Sequence, residues 1–171
     1  MNNIYFKLVF RFVFYLLFQV LVLNNIELNG LMNPYYYPLF ILLLPISFPN
    51  WLALLFAFAM GIAVGSFSNS IGLHSFALVL MTFIRTYVIQ IIFPQAKAEE
   101  MEEFSIGNIG AFTFTLYTFI LIFIHHFVFF SAEVMSFSRF YLTISKIFLS
   151  AILSTLLIIL GEYLFWRKES R

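Results

Sequence analysis

Runs of apolar residues follow one another from Leu8 to Trp166 with brief polar breaks, and only 10% of the 171 residues are charged. That pattern leaves little choice of fold. A hydrocarbon core about 30 Å thick is crossed by roughly 20 apolar residues of helix. With no water to satisfy the backbone there, helices and closed barrels are the structures that span. The ten-residue alternation that marks barrel strands is absent. With 63% hydrophobic residues there is too little polar surface to cover a soluble core. The expected fold is an all-α integral membrane protein, with residues 1–171 forming one polytopic domain.

Six segments qualify as spans, at about 8–23, 35–48, 51–67, 72–93, 108–131 and 141–166. The second is short and holds Pro38 and Pro45, so a kinked or partly inserted segment is expected. Lys7 and Arg11 ahead of the apolar run Phe12–Leu23 imitate a cleavable secretory signal. The run ends in Asn24, Asn25, Ile26 and Glu27 without a small-x-small cleavage pattern, and the rest of the chain is equally apolar, so we read it as a span. "PQAKAEEMEEFS", residues 94–105, reads as a solvated loop, with docking of a basic partner as the rival reading. Six spans put Lys7, Arg11, Lys97, Arg167, Lys168 and Arg171 on one side, which their charge marks as cytoplasmic; Arg139 and Lys146 fall opposite. A five-span alternative, with the second segment failing to cross, would separate the two basic termini.

Ionisable residues inside spans invite functional readings. Arg85 lies about 12 Å from the cytoplasmic end of the fourth span, and Glu162 sits at a matching depth in the sixth. An Arg85–Glu162 pair is therefore a candidate, and an interhelical pair or an anchor snorkelling to the interface is expected before any transport or catalytic role. His74, His125 and His126 fall toward the opposite side. Being adjacent, His125 and His126 point about 100° apart on a helix, which argues against a shared metal and for hydrogen bonds to neighbouring elements. Cysteine and aspartate are absent, and so are phosphate-binding glycine loops and hydrolase motifs. No cofactor, metal or catalytic residue is expected, and the chain lacks the basic stripe of a nucleic-acid binder.

Small residues are more informative. Ala57, Gly61 and Gly65 are four apart and share one helix face, which suits close approach of a partner helix. Gly107 and Gly110 are expected to loosen the start of the fifth span. Tyr35, Tyr36, Tyr37, Trp51 and Trp166 fall at expected span ends, where amphipathic rings prefer the interface.

The stretch "FAFAMGIAVGSFSNSIGLHSFALVLMTFIR" resembles the signature region of the MreD family, membrane subunits of the bacterial rod shape-determining system. The matching positions are Gly61, the turn Ser68, Asn69 and Ser70, and then Gly72, Leu73, His74 and Ser75. Arg85, the acidic loop, "LIFIHHFVFF" and "VLNNIELNG" extend the likeness over essentially the whole chain, in the manner of the family's Bacteroidota branch. Gly65 departs from it, because many members carry an acid there; any role of that carboxylate does not transfer.

The resemblance implies a six-helix inner-membrane protein, similar in fold to the substrate-binding S-component of energy-coupling-factor transporters. It implies a non-catalytic scaffold working with MreC, with MreB indirectly, with RodA and with a class B penicillin-binding transpeptidase. The rival reading is a transporter subunit holding a small molecule near the outer helix ends, lined by Asn69, His74, His125 and Lys146. A scaffold should expose a flat face with small residues, and a transporter subunit should enclose a polar pocket.

Overall fold

The computed structural model describes residues 2–26, 32–92, 104–134 and 140–169. In chain order its helices are α1 (Asn2–Leu21), α2 (Leu39–Leu42), α3 (Asn50–Phe67), α4 (Leu73–Ile92), α5 (Ile106–Ile109), α6 (Ala111–Val134) and α7 (Phe140–Glu169). Among the described residues, five helical segments are long and apolar enough to cross a membrane, one on each of α1, α3, α4, α6 and α7. The chain is an all-α, multi-pass membrane protein. The acidic loop, with Lys97, Glu99, Glu100, Glu102 and Glu103, and Arg139 lie outside the described residues, and so do the side chains of Trp166, Arg167 and Lys168.

Two boundaries follow from backbone conformation. Gly110 has φ +80° and separates the one-turn α5 from α6, so the fifth span begins at Ala111 and not near 108. Asn69 (φ 51°) and Gly72 (φ 97°) supply the left-handed residues that reverse the chain between α3 and α4.

The helices pack as a chain of neighbours, α3 on α4, α4 on α6 and α6 on α7, with α1 against α3. One cavity is lined by Leu23 and Asn24 just after α1, Phe67 at the end of α3, Phe129 and Glu133 late in α6, Leu73 and His74 at the start of α4, and Lys146 early in α7. Those positions fix direction: α1, α3 and α6 run toward the cavity, whereas α4 and α7 run away from it. Since α1 and α3 point the same way, the chain between them must itself return across the bundle.

It does so mainly without helix. Asn33, Pro34 and Tyr35 line the cavity, Tyr37 contacts His74, and the Leu44 carbonyl meets Arg85. From His74 to Arg85 α4 descends about 16 Å. The crossing contains the single turn of α2, and every residue from Tyr35 to Leu44 is buried. The second segment, expected over 35–48 as a kinked or partly inserted span, is an irregular traverse enclosed by protein. Irregular backbone at membrane depth is tolerated where protein encloses it. Pro34, Pro38, Pro45 and Pro49 keep it from forming a continuous helix, while removing four backbone donors that would otherwise need partners.

The small-residue face of α3 also differs from expectation. Ala57, Gly61 and Gly65 are buried, and a Cβ on Gly61 would lie 2.3 Å from Ser75 Cα on α4. On Gly65 it would lie 3.0 Å from the Ser70 carbonyl oxygen. The seam is filled by α4 and the α3–α4 turn of the same chain, because the short turn brings α4 onto α3 before any partner can dock. We expect Gly61→Ala to force the two backbones apart and destabilise the fold by about 1–3 kcal/mol, read as a lower unfolding midpoint in detergent. Gly65→Ala, with more room, should cost less.

Candidate functional site

A buried traverse with broken helical bonding raises an accounting question: where do its amide protons go? Asn33 N–H donates to Ser150 Oγ (3.0 Å) and Tyr35 N–H to Ser154 Oγ (2.8 Å). Ser150 and Ser154 are four apart on α7, so both hydroxyls face the traverse one turn apart. Gln19 Oε1 on α1 accepts from Tyr36 N–H (2.7 Å) and Tyr37 N–H (3.4 Å), while its Nε2 donates to the Pro34 carbonyl (3.1 Å) and Asn24 Oδ1 (2.9 Å). The N–H groups of residues 39–44 bond to carbonyls within the segment. Every N–H from Asn33 to Leu44 is thus paired. At the lower end, Tyr117 Oη donates to the Leu42 carbonyl (3.1 Å) and the Arg85 guanidinium to the Leu44 carbonyl.

Arg85 also donates through Nε to Tyr117 Oη (2.9 Å). Among the described residues no ion pair joins Arg85 to Glu162, which corrects the expected pair. The guanidinium turns instead to a carbonyl that the irregular backbone leaves open. Glu162 lies near Tyr36, whose hydroxyl occupies the place a Cβ on Gly161 would take.

Tyr35, Tyr36 and Tyr37 correct a further expectation, because they are core residues and not interfacial ones. The Tyr35 ring packs against His74, His125, His126, Phe129 and Phe130. The Tyr37 hydroxyl lies between His74 Nδ1 (2.8 Å) and His125 Nε2 (2.6 Å). A hydroxyl has one proton, so it donates to one ring and accepts from the other. His125 Nδ1 is buried without a partner. An orphaned N–H costs more than an orphaned acceptor, so His125 carries its proton on Nε2 and donates it to Tyr37. Tyr37 then donates to His74 Nδ1, which leaves the His74 proton on Nε2. His126 donates from Nδ1 to the Ile122 carbonyl (2.8 Å) and accepts at Nε2 from the Ser154 hydroxyl (3.2 Å). The three rings are brought together, as cross-links between the traverse, α4, α6 and α7.

Where the traverse begins, the cavity encloses about 670 Å³, within the range of small-molecule pockets. Asn69, His74 and Lys146, three of the four residues expected to line such a pocket, do line it, together with Ser68, Ser70 and Leu73 from the motif turn. His125 is absent from its wall, being fully buried and bonded to Tyr37. Lys146 Nζ pairs with Glu133 Oε2 at 3.1 Å and sits 4.5 Å from the centre of the Phe130 ring.

Reasoning from sequence missed Gln19, Ser150, Ser154 and Tyr117. Their signal was present: a lone amide in the apolar α1 run, and two serines at helical spacing in α7. We expect Gln19→Leu, close in volume, to orphan the Tyr36 amide and the Pro34 carbonyl, at about 1–3 kcal/mol for each group left buried. Denaturation in detergent reads this directly. The double exchange Arg85→Glu with Glu162→Arg should leave Arg85→Glu unrescued, since these two side chains are not partners; recovery of the unfolding midpoint would contradict the geometry. Comparison of the chain with known protein families, curated proteins and solved structures found no match.

Proposed function

We propose that this protein is a membrane-embedded scaffold of the MreD kind in the bacterial cell-elongation complex, linking MreC and the MreB filament to RodA and its transpeptidase. The observation that carries this reading is where the motif residues fall. Gly61 admits Ser75 and fixes α3 on α4, Gly72 turns the chain, and His74 and Arg85 hold the two ends of the buried traverse. These residues stabilise a rigid body, as an organiser needs, and their polar atoms are largely engaged with one another. With the Lys- and Arg-bearing ends of α1 and α7 placed in the cytoplasm of the inner membrane, the cavity opens on the opposite side. The lipid-facing surface is apolar, with Phe6, Phe10, Val13, Leu17 and Leu21 exposed along α1. Partner helices would meet such a surface through packing contacts.

A second reading, a subunit that binds a small molecule, is favoured by the cavity itself and by the filled small-residue seam of α3. Affinity purification from native membranes separates the two. Recovery of MreC and the elongation synthase is the expected result. Recovery of a small molecule with an ATPase module, and no wall-synthesis proteins, would overturn the scaffold in favour of the second reading.

A further inference from the structure

The cavity has a composition that selects among ligands. Among the described residues its charged groups are one carboxylate and one ammonium, Glu133 and Lys146, already 3.1 Å apart. Their charges cancel, so a ligand of large net charge of either sign gains little there. Lys146 engages Oε2 of Glu133, which leaves Oε1 for an incoming cationic donor. His74, only 2% exposed, lines the cavity and has its Nδ1 occupied by Tyr37. The hydrogen-bond order set by His125 leaves its Nε2–H without a protein acceptor among the described residues. The site therefore holds a fixed N–H donor and an ammonium for an anionic oxygen, and a carboxylate oxygen for a cation. That combination matches a zwitterion.

The surroundings indicate which zwitterion. Phe67 forms part of the wall and is itself largely exposed, and Leu21 and Ile71, next to the wall in sequence, are exposed as well. A polar recess bordered by apolar side chains at a helix end in a bilayer is reached most directly by the bilayer's own molecules, whose acyl chains lie against that border. We propose that the cavity binds the headgroup of an aminophospholipid, its primary ammonium on Glu133 and its phosphate on His74 and Lys146. This inference rests on the second reading above, that the cavity is a ligand site, and is compatible with a scaffold that carries a lipid.

The test uses the full chain, purified and stripped of lipid, with four probes: phosphatidylethanolamine, phosphatidylcholine, phosphatidylglycerol and water-soluble glycerophosphoethanolamine. Retention in native mass spectrometry and the shift in unfolding midpoint are both read. Phosphatidylethanolamine should bind roughly tenfold more tightly than phosphatidylcholine, whose methyl groups remove the donors to Glu133. It should also exceed phosphatidylglycerol, which lacks the ammonium. Glu133→Gln alters a half-exposed side chain, so the lipid-free variant should unfold like the parent while losing the preference. Equal binding of phosphatidylethanolamine and phosphatidylcholine, or a preference that survives Glu133→Gln, overturns the proposal. If glycerophosphoethanolamine binds as tightly as the lipid, the ligand is a free zwitterion; the lipid assignment falls and the ligand site stands. If no probe is retained, the proposal falls, and the ligand-site reading falls with it only if protein from native membranes also carries no other small molecule.

Discussion

The structure depends on one constraint: a stretch of backbone returns through the helix bundle without forming a continuous helix, and each of its amide protons must find a partner away from water. In a helix that requirement is met locally. Between Asn33 and Tyr37 it is met by side chains from elsewhere, Gln19 on α1 and Ser150 and Ser154 on α7. An unmet amide costs about 1–3 kcal/mol, comparable with a sizeable share of the net stability of a domain. The helices that surround the traverse are therefore tied together through it. Through it α1 is linked to α7, beyond the packing of α1 on α3 and of α7 on α6.

The same requirement explains polar residues that otherwise look out of place. Arg85 is an ionisable group at membrane depth, which invites a functional role. Its guanidinium offers five donors, and the lower end of the traverse presents open carbonyl oxygens. Tyr117 works with it, donating to the Leu42 carbonyl and accepting from Arg85 Nε. His126 and Ser154 form a similar unit at the upper end, where the serine accepts from the backbone and donates to the ring. Gln19, Arg85, Tyr117, Ser150 and Ser154 each sit where the backbone of the traverse lacks a helical partner.

Much of this architecture was legible in the apolar spacing. The first, third, fourth, fifth and sixth spans lie within about three residues of the five segments that are long and apolar enough to cross a membrane, because length and hydropathy suffice to define a helix whose bonds are internal. The traverse was not legible in the same way. Tyr35–Tyr37 and Leu39–Leu44 are as apolar as a span, and what distinguishes them is the fate of their backbone bonds, which depends on Gln19 in another helix and on Ser150 and Ser154 more than 100 positions away. Asn69, His74 and Lys146, named for a pocket only in the rival reading, line the cavity because span ends gather at one level, whereas His125 does not. The Arg85–Glu162 pair was not realised because equal depth fixes only one coordinate, whereas pairing also needs facing helix sides.

The traverse also joins the interior to the cavity. Asn33, Pro34 and Tyr35 are at once its first residues and part of the cavity wall. The His74 ring has one nitrogen on Tyr37 and belongs to the same wall. Anything that binds there touches the segment on which the helix positions depend, through groups already held by Gln19, Ser150 and Ser154. A group so held adds little ordering cost when a ligand arrives, which is the physical advantage of a preorganised site. By linkage, a ligand that prefers this arrangement stabilises the whole bundle. Scaffold and ligand site thus need not compete in this fold: the hydrogen bonds that make it rigid also orient the donors facing the cavity.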